Sequence, residues 1–176
     1  MKEATSIMTA GSVKPILVLA VGNQLLSDDG VGMVLLDELS RDLRGEDCVE
    51  FVDGGTQGLA LLGQFTGREA VVMLDAIAMG AAPGTIHSGV GLPACSFGSG
   101  TSHDANATEL LRFAALVGEL PPRVHVIGVE PEIIRTGIGL SSCVSAAIPA
   151  AVQKVKTVIQ GVKEGISCAS QCQAAS

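Results

Sequence analysis

Residues 16–32 read Ile-Leu-Val-Leu-Ala-Val-Gly-Asn-Gln-Leu-Leu-Ser-Asp-Asp-Gly-Val-Gly. The first six form a continuous apolar run closed by Gly22, the pattern of a strand buried on both faces. Beyond a loop at 22–28, Val31, Val34, Leu35, Leu39 and Leu43 recur at helical spacing and predict a helix to about Arg44. Strand, loop and helix then recur downstream. Residues 49–52 read as a second strand ended by Asp53-Gly54-Gly55, 59–65 as a short helix, and 70–74 as a third buried strand ended by Asp75. A shorter strand begins at 84–86 near an edge, and the Gly- and Ser-rich stretch 88–102 reads as an irregular loop long enough to suspect function. A helix over 104–117 is expected to turn Leu110, Phe113, Ala114 and Val117 to the core, and Pro121-Pro122 stops it. Residues 124–129 complete the strands. Residues 144–162 form an amphipathic helix with an expected kink at Pro149.

Strands alternating with helices imply an α/β fold, a three-layer α/β/α sandwich with a mostly parallel sheet. At 176 residues the chain has room for one ordinary domain. We assign 1–14 to an N-terminal extension, 15–163 to a single domain and 164–176 to a flexible tail. The aliphatic composition, with no Trp or Tyr, calls for a core of Leu, Ile, Val and Ala. A net charge of −7 argues against nucleic acid as a partner, because phosphate neutralisation needs clustered Lys and Arg. No stretch approaches the roughly 20 apolar residues of a membrane span, and 1–14 lacks the apolar centre of a secretory signal. A cytoplasmic location is the expectation. The five cysteines are scattered, without a C-x2-C pair, which fits neither a disulfide framework nor a zinc site.

Acidic residues fall where open α/β sheets gather ligands, beyond the carboxyl ends of the strands. The loop 22–32 is not a dinucleotide motif, since Ala20 and Leu25 replace two of its glycines. One of Asp28 and Asp29 is expected to cap the following helix, leaving the other surplus to that need. Asp75, close to the core, requires either loop amides or a cation, and both readings stand. His103 precedes a helix; with carboxylates from two strand-end loops it completes a possible O/O/N metal site. His87 and His125 read as packing or surface residues, and Cys143 as a small buried residue near a helix start. No H-E-x-x-H, G-x-S-x-G or catalytic-Cys context is present.

Taken together, residues 16–32, Asp53-Gly54-Gly55-Thr56, Asp75-Ala76-Ile77, Pro83-Gly84-Thr85, Ser102-His103, Gly128-Val129-Glu130-Pro131-Glu132 and Gly139-Leu140-Ser141 make the chain resemble the [NiFe]-hydrogenase maturation endopeptidases. The resemblance spans 16 to about 160. It implies a twisted sheet of about five strands and an endopeptidase that removes a C-terminal extension from the hydrogenase large-subunit precursor after nickel insertion. It also implies that Asp29, Asp75 and His103 are the metal-binding and catalytic residues, with nickel supplied by the substrate protein. Some family members carry Glu where this chain has Asp29. The Asp53-Gly54-Gly55-Thr56 stretch resembles a motif that shapes the substrate cleft. A monomer is expected, with no membrane or nucleic-acid partner. Two rivals are a nickel-binding chaperone without peptidase activity and a related peptidase of the same fold acting on another protein.

Overall fold

The apolar run that opens the reading becomes the middle of the molecule. A computed structural model describes residues 13–90 and 104–174. In it β1 (Ile16–Val21) is buried along its whole length, paired in parallel with β2 (Val49–Gly55) on one side and β3 (Ala70–Ala76) on the other. Neither of its faces meets water, which is why no polar residue interrupts it. Between β3 and the next parallel strand the chain adds β4 (Ile86–Val90), followed by β5 (Arg123–Val129). β5 pairs in parallel with β3, and β4 lies antiparallel at the edge, giving the order β2-β1-β3-β5-β4.

Alternation along the strands sorts the core into two halves. Ile16, Val18, Ala20, Val72 and Leu74 face α1 (Val31–Asp42) and α3 (Ser142–Ala174). Leu17, Leu19, Val21, Val71 and Met73 face the 3-10 helix Gly58–Phe65 and α2 (Asp104–Val117). The sandwich therefore has three layers, with a mostly parallel sheet of five strands in the middle, as the sequence implies. Burying each of these large aliphatic side chains stabilises the fold by about 1.5–3 kcal/mol. No described helix is long and apolar enough to cross a membrane.

Several boundaries differ from the sequence reading. β2 does not stop before Asp53-Gly54-Gly55 but includes them, because backbone pairing with β1 continues to Val21 opposite Gly55. Likewise Asp75 lies inside β3, opposite Gly128 of β5, rather than after the strand. Helix α2 has the expected bounds but a rotated face. Ala107, Leu110, Leu111 and Ala114 are buried, whereas Phe113 and Val117 are exposed. The two alanines let α2 approach the sheet closely, and that packing selects among several apolar stripes. Helix α3 continues through Pro149, which sits on its solvent side, so the carbonyl that proline leaves without a partner lies toward water. It also runs past residue 163, the expected end of the domain, to Ala174, with Ile166 packed against the core.

Helix α1 begins directly under the ends of two central strands. A Cβ added at Gly32 would stand 2.7 Å from the Leu74 carbonyl oxygen and 2.8 Å from that of Val21, both unyielding backbone atoms. Gly32→Ala is therefore expected to destabilise the protein by about 1–3 kcal/mol, as overpacking does, and a urea titration should show a lower midpoint. A midpoint equal to wild type would show that α1 is not seated as tightly as described.

Candidate active site

Strand direction reverses its progress between β1 and β3: the chain moves outward to β2 from one and toward β5 from the other. Such a switch point leaves a crevice beyond the carboxyl ends of the strands. Here the crevice is a cleft lined by Val21 and Gly22 from the end of β1, Gly55 and Thr56 from the end of β2, Asp75 from β3, Ala107 from α2, and Asp29.

Asp29 reaches the cleft through a tightly folded turn. Gly22 has φ 122°, and a side chain there would collide with the Asp29 carbonyl. The Asn23 side chain accepts from the Leu25 N–H at 3.0 Å, while the Asn23 N–H donates to Asp29 Oδ2 at 2.8 Å. A 3-10 turn, Ser27–Gly30, then feeds α1. The expected aspartate cap is not found: the N-cap of α1 is Gly30, with no side-chain cap bond.

Asp28 instead turns away from the cleft. Its buried carboxylate accepts the backbone N–H groups of Glu132 and Ile133, both at 2.9 Å, and of Ser141 at 2.6 Å. Burial pushes this carboxyl up, but the N–H groups of Ser141, Ile133 and Glu132 outweigh it and leave it below its ordinary value. These partners are 104 to 113 residues away in sequence.

Asp75 shares the sheet face of Met73 and Ile77, the face that α2 covers. Its Oδ1 accepts the Ala76 N–H at 2.8 Å, so loop-type amide bonding and a place in the cleft coexist. His103 lies outside the described residues, four positions before Ala107 in the chain. Among the described residues no group of three or more His, Cys, Asp or Glu side chains could hold a metal ion. The donor chemistry of Asp29 and Asp75 fits a divalent cation, since both offer hard anionic oxygens and line the same cleft.

Sequence reasoning missed a further buried carboxylate that supports the fold. Glu130, just past β5, accepts the N–H groups of Met79 and Gly80 at 2.9 Å and stands 2.7 Å from His87 Nε2. Burial raises its carboxyl, and the bonds from Met79, His87, Gly80 and Ala81 more than reverse that. Glu130 thereby ties down the turn that follows Asp75. His87, read as packing or surface, is part of this arrangement within β4. His125 is half-buried in β5, and burial lowers its pKa. Cys143 is only partly buried, its thiol within 3.3 Å of Glu132 Oε2. Glu130 and Ser141 sit in stretches that carry the family resemblance, but their partners come from distant segments and no local pattern points to them.

A mostly parallel sheet with two carboxylates lining a cleft at its switch point belongs to the open α/β folds that gather their ligands there. Comparison with known proteins specifies it. The hydrogenase maturation protease family model matches residues 33–158, and the chain belongs to that family of peptidases. It is 34% identical over 148 residues to the hydrogenase 2 maturation protease of Escherichia coli K12, covering 82% of this chain and 90% of that one. A hydrogenase expression/formation protein of Rhizobium leguminosarum bv. viciae, HupD, is 32% identical over 149 residues, covering 82% and 74%. Among solved structures, the E. coli hydrogenase maturating endopeptidase HybD superposes with a TM-score of 0.73 at 32% identity, covering 83% of this chain and 92% of that one. The Thermococcus kodakarensis [NiFe] hydrogenase maturation protease HybD gives 0.65 at 28% identity, covering 81% and 97%.

The Asp28 network makes an energetic prediction. Asp28→Ala would leave three backbone N–H groups without their acceptor, and should cost about 1–3 kcal/mol. Because the folded pKa is depressed, the stability from this carboxylate is present above its unfolded value of about 4 and is lost as pH falls through the folded one. Asp28→Asn should therefore flatten the acid side of the stability curve, measured by urea unfolding between about pH 5 and 3. An unchanged acid limb would show that the network does not form.

Proposed function

We propose that this peptidase removes a C-terminal extension from the large-subunit precursor of a [NiFe] hydrogenase once nickel has been inserted, using that nickel as its recognition element. The observation that carries the reading is the meeting of Asp29 and Asp75, from two separate segments, in one cleft at the switch point. The named activities of the relatives support the choice of substrate.

In this reading nickel arrives with the precursor, and Asp29, Asp75 and His103 contact it as two carboxylates and one imidazole. Gly22 and Gly55-Thr56 leave the cleft floor as backbone and a small hydroxyl residue, so a peptide strand can approach closely. Nickel seated against the carboxylates would hold the neighbouring peptide in place and supply Lewis-acid polarisation of a carbonyl. A precursor without nickel forgoes the contact, and selectivity follows without a separate sensor. In this reading the chain works as a monomer in the cytoplasm.

Purified protease should shorten nickel-loaded precursor and leave nickel-free precursor intact, as read by intact-protein mass spectrometry in the presence of serine and thiol inhibitors. Asp75→Asn, nearly isosteric but not anionic, should keep the fold while lowering the processing rate at least about a hundredfold. Equal cleavage of both precursors would end the nickel requirement. Wild-type cleavage by folded Asp75→Asn protein would remove Asp75 from the site.

A further inference from the structure

The turn that carries Asp29 also displays a side chain that neither the cleft nor the core uses. Leu25 is 61% exposed, and Ile138, at 90%, is the most exposed large apolar residue described. They come from segments joined by backbone bonds. The Gly137 N–H donates to the Leu25 carbonyl and the Ser27 N–H donates to the Gly137 carbonyl, both at 2.9 Å, which pairs Leu26 with Gly137 in parallel. Leu25 precedes Leu26 and Ile138 follows Gly137, so the two hydrogen-bonded segments each carry an exposed aliphatic side chain.

The turn is also held against its local preferences. Ser27 has φ 54° and is the one non-glycine residue with positive φ among those described. Such a conformation persists only where the surroundings over-determine it, and it concentrates at functional sites. Here the Ser27 hydroxyl donates to the Arg135 carbonyl at 3.1 Å, and the Asp28 carboxylate clasps Glu132, Ile133 and Ser141. A rigid, strained support thus presents two aliphatic side chains to water. Single exposed apolar residues are ordinary, whereas a supported pair beside a cleft is a place for a partner.

We infer that Leu25 and Ile138 form a docking rim for an aliphatic stretch of the precursor's C-terminal segment, an inference that rests on the function proposed above. Continuity selects this occupant. The rim and the cleft are built from one turn: the Asp29 N–H donates to the Leu26 carbonyl, and Leu25 lies four positions before Asp29. Four extended residues reach about 14 Å, so a short peptide strand spans from rim to carboxylates. The rim therefore sets which precursor segment enters, and acts on binding rather than on the hydrolytic step.

The test uses the full chain and nickel-loaded precursor with Leu25→Ser, Ile138→Ser, the double variant, and Leu116→Ser as a control. Leu116 is 81% exposed on α2, away from the turn. Each rim variant should raise KM about three- to tenfold with kcat retained, the double variant more, and the control should match wild type. Thermal midpoints should not move, since both side chains are already in water. Calorimetric affinity for the precursor separates this inference from the function it rests on. Cleavage with an affinity indifferent to the rim overturns the rim and leaves the function. Binding that depends on the rim without any cleavage upholds the rim and removes the function. A wild-type dimer in sedimentation that the double variant abolishes would assign the rim to a second copy, and overturn the inference.

Discussion

A buried carboxylate accepting three backbone N–H groups holds the whole wall of the cleft in place. Asp28 reaches from the turn after β1 to the segment between β5 and α3, and the Asp28 N–H donates back to the Ile133 carbonyl at 3.1 Å. Two connections that would otherwise be independent loops thereby become one rigid edge. The charge is compensated by backbone dipoles rather than by a side-chain cation. Asp29, one residue on, enters the cleft with its geometry already set. Of the neighbouring aspartates, Asp28 thus supports the fold while Asp29 lines the cleft.

The same device recurs on the other side of β3. Glu130 holds the turn at Met79 and Gly80 through its carboxylate, while its own N–H and carbonyl bond Thr85 and Gly84. Asp75 is accordingly fixed from both ends: by sheet pairing with Gly128 and by a following turn that cannot drift. Both supports are acidic and lie next to a cleft lined by two more carboxylates. A site with this much negative charge favours an incoming cation.

The parts legible in the sequence are those that burial dictates locally. β1 and the core of β3 are apolar because both faces are covered, and their limits at Ile16 and Ala70 follow from that alone. Strand ends were less legible because partner strands decide them: Asp75 continues β3 since β5 is still beside it. The face of α2 was misplaced because Phe113 and Val117 satisfy helical spacing as well as Leu111 does, and only contact with the 3-10 helix and sheet distinguishes them. Asp28 and Asp29 could be recognised as one acidic pair with one surplus member. Which member supports the fold depends on amides more than 100 residues away. The carboxylate half of the site was visible as residue types at strand ends, whereas its support was not.

The central claim is that the cleft carboxylates bind the nickel that the substrate carries, and nickel K-edge X-ray absorption tests it most directly. Nickel-loaded precursor with an uncleavable junction would be measured alone and after mixing with the protease. The account predicts added oxygen and nitrogen scatterers at about 2.0–2.2 Å in the complex, a distance typical of carboxylate and imidazole ligands to divalent transition metals, and their loss on mixing with an Asp29→Asn, Asp75→Asn double variant. An unchanged nickel coordination shell in a complex that demonstrably forms would contradict it.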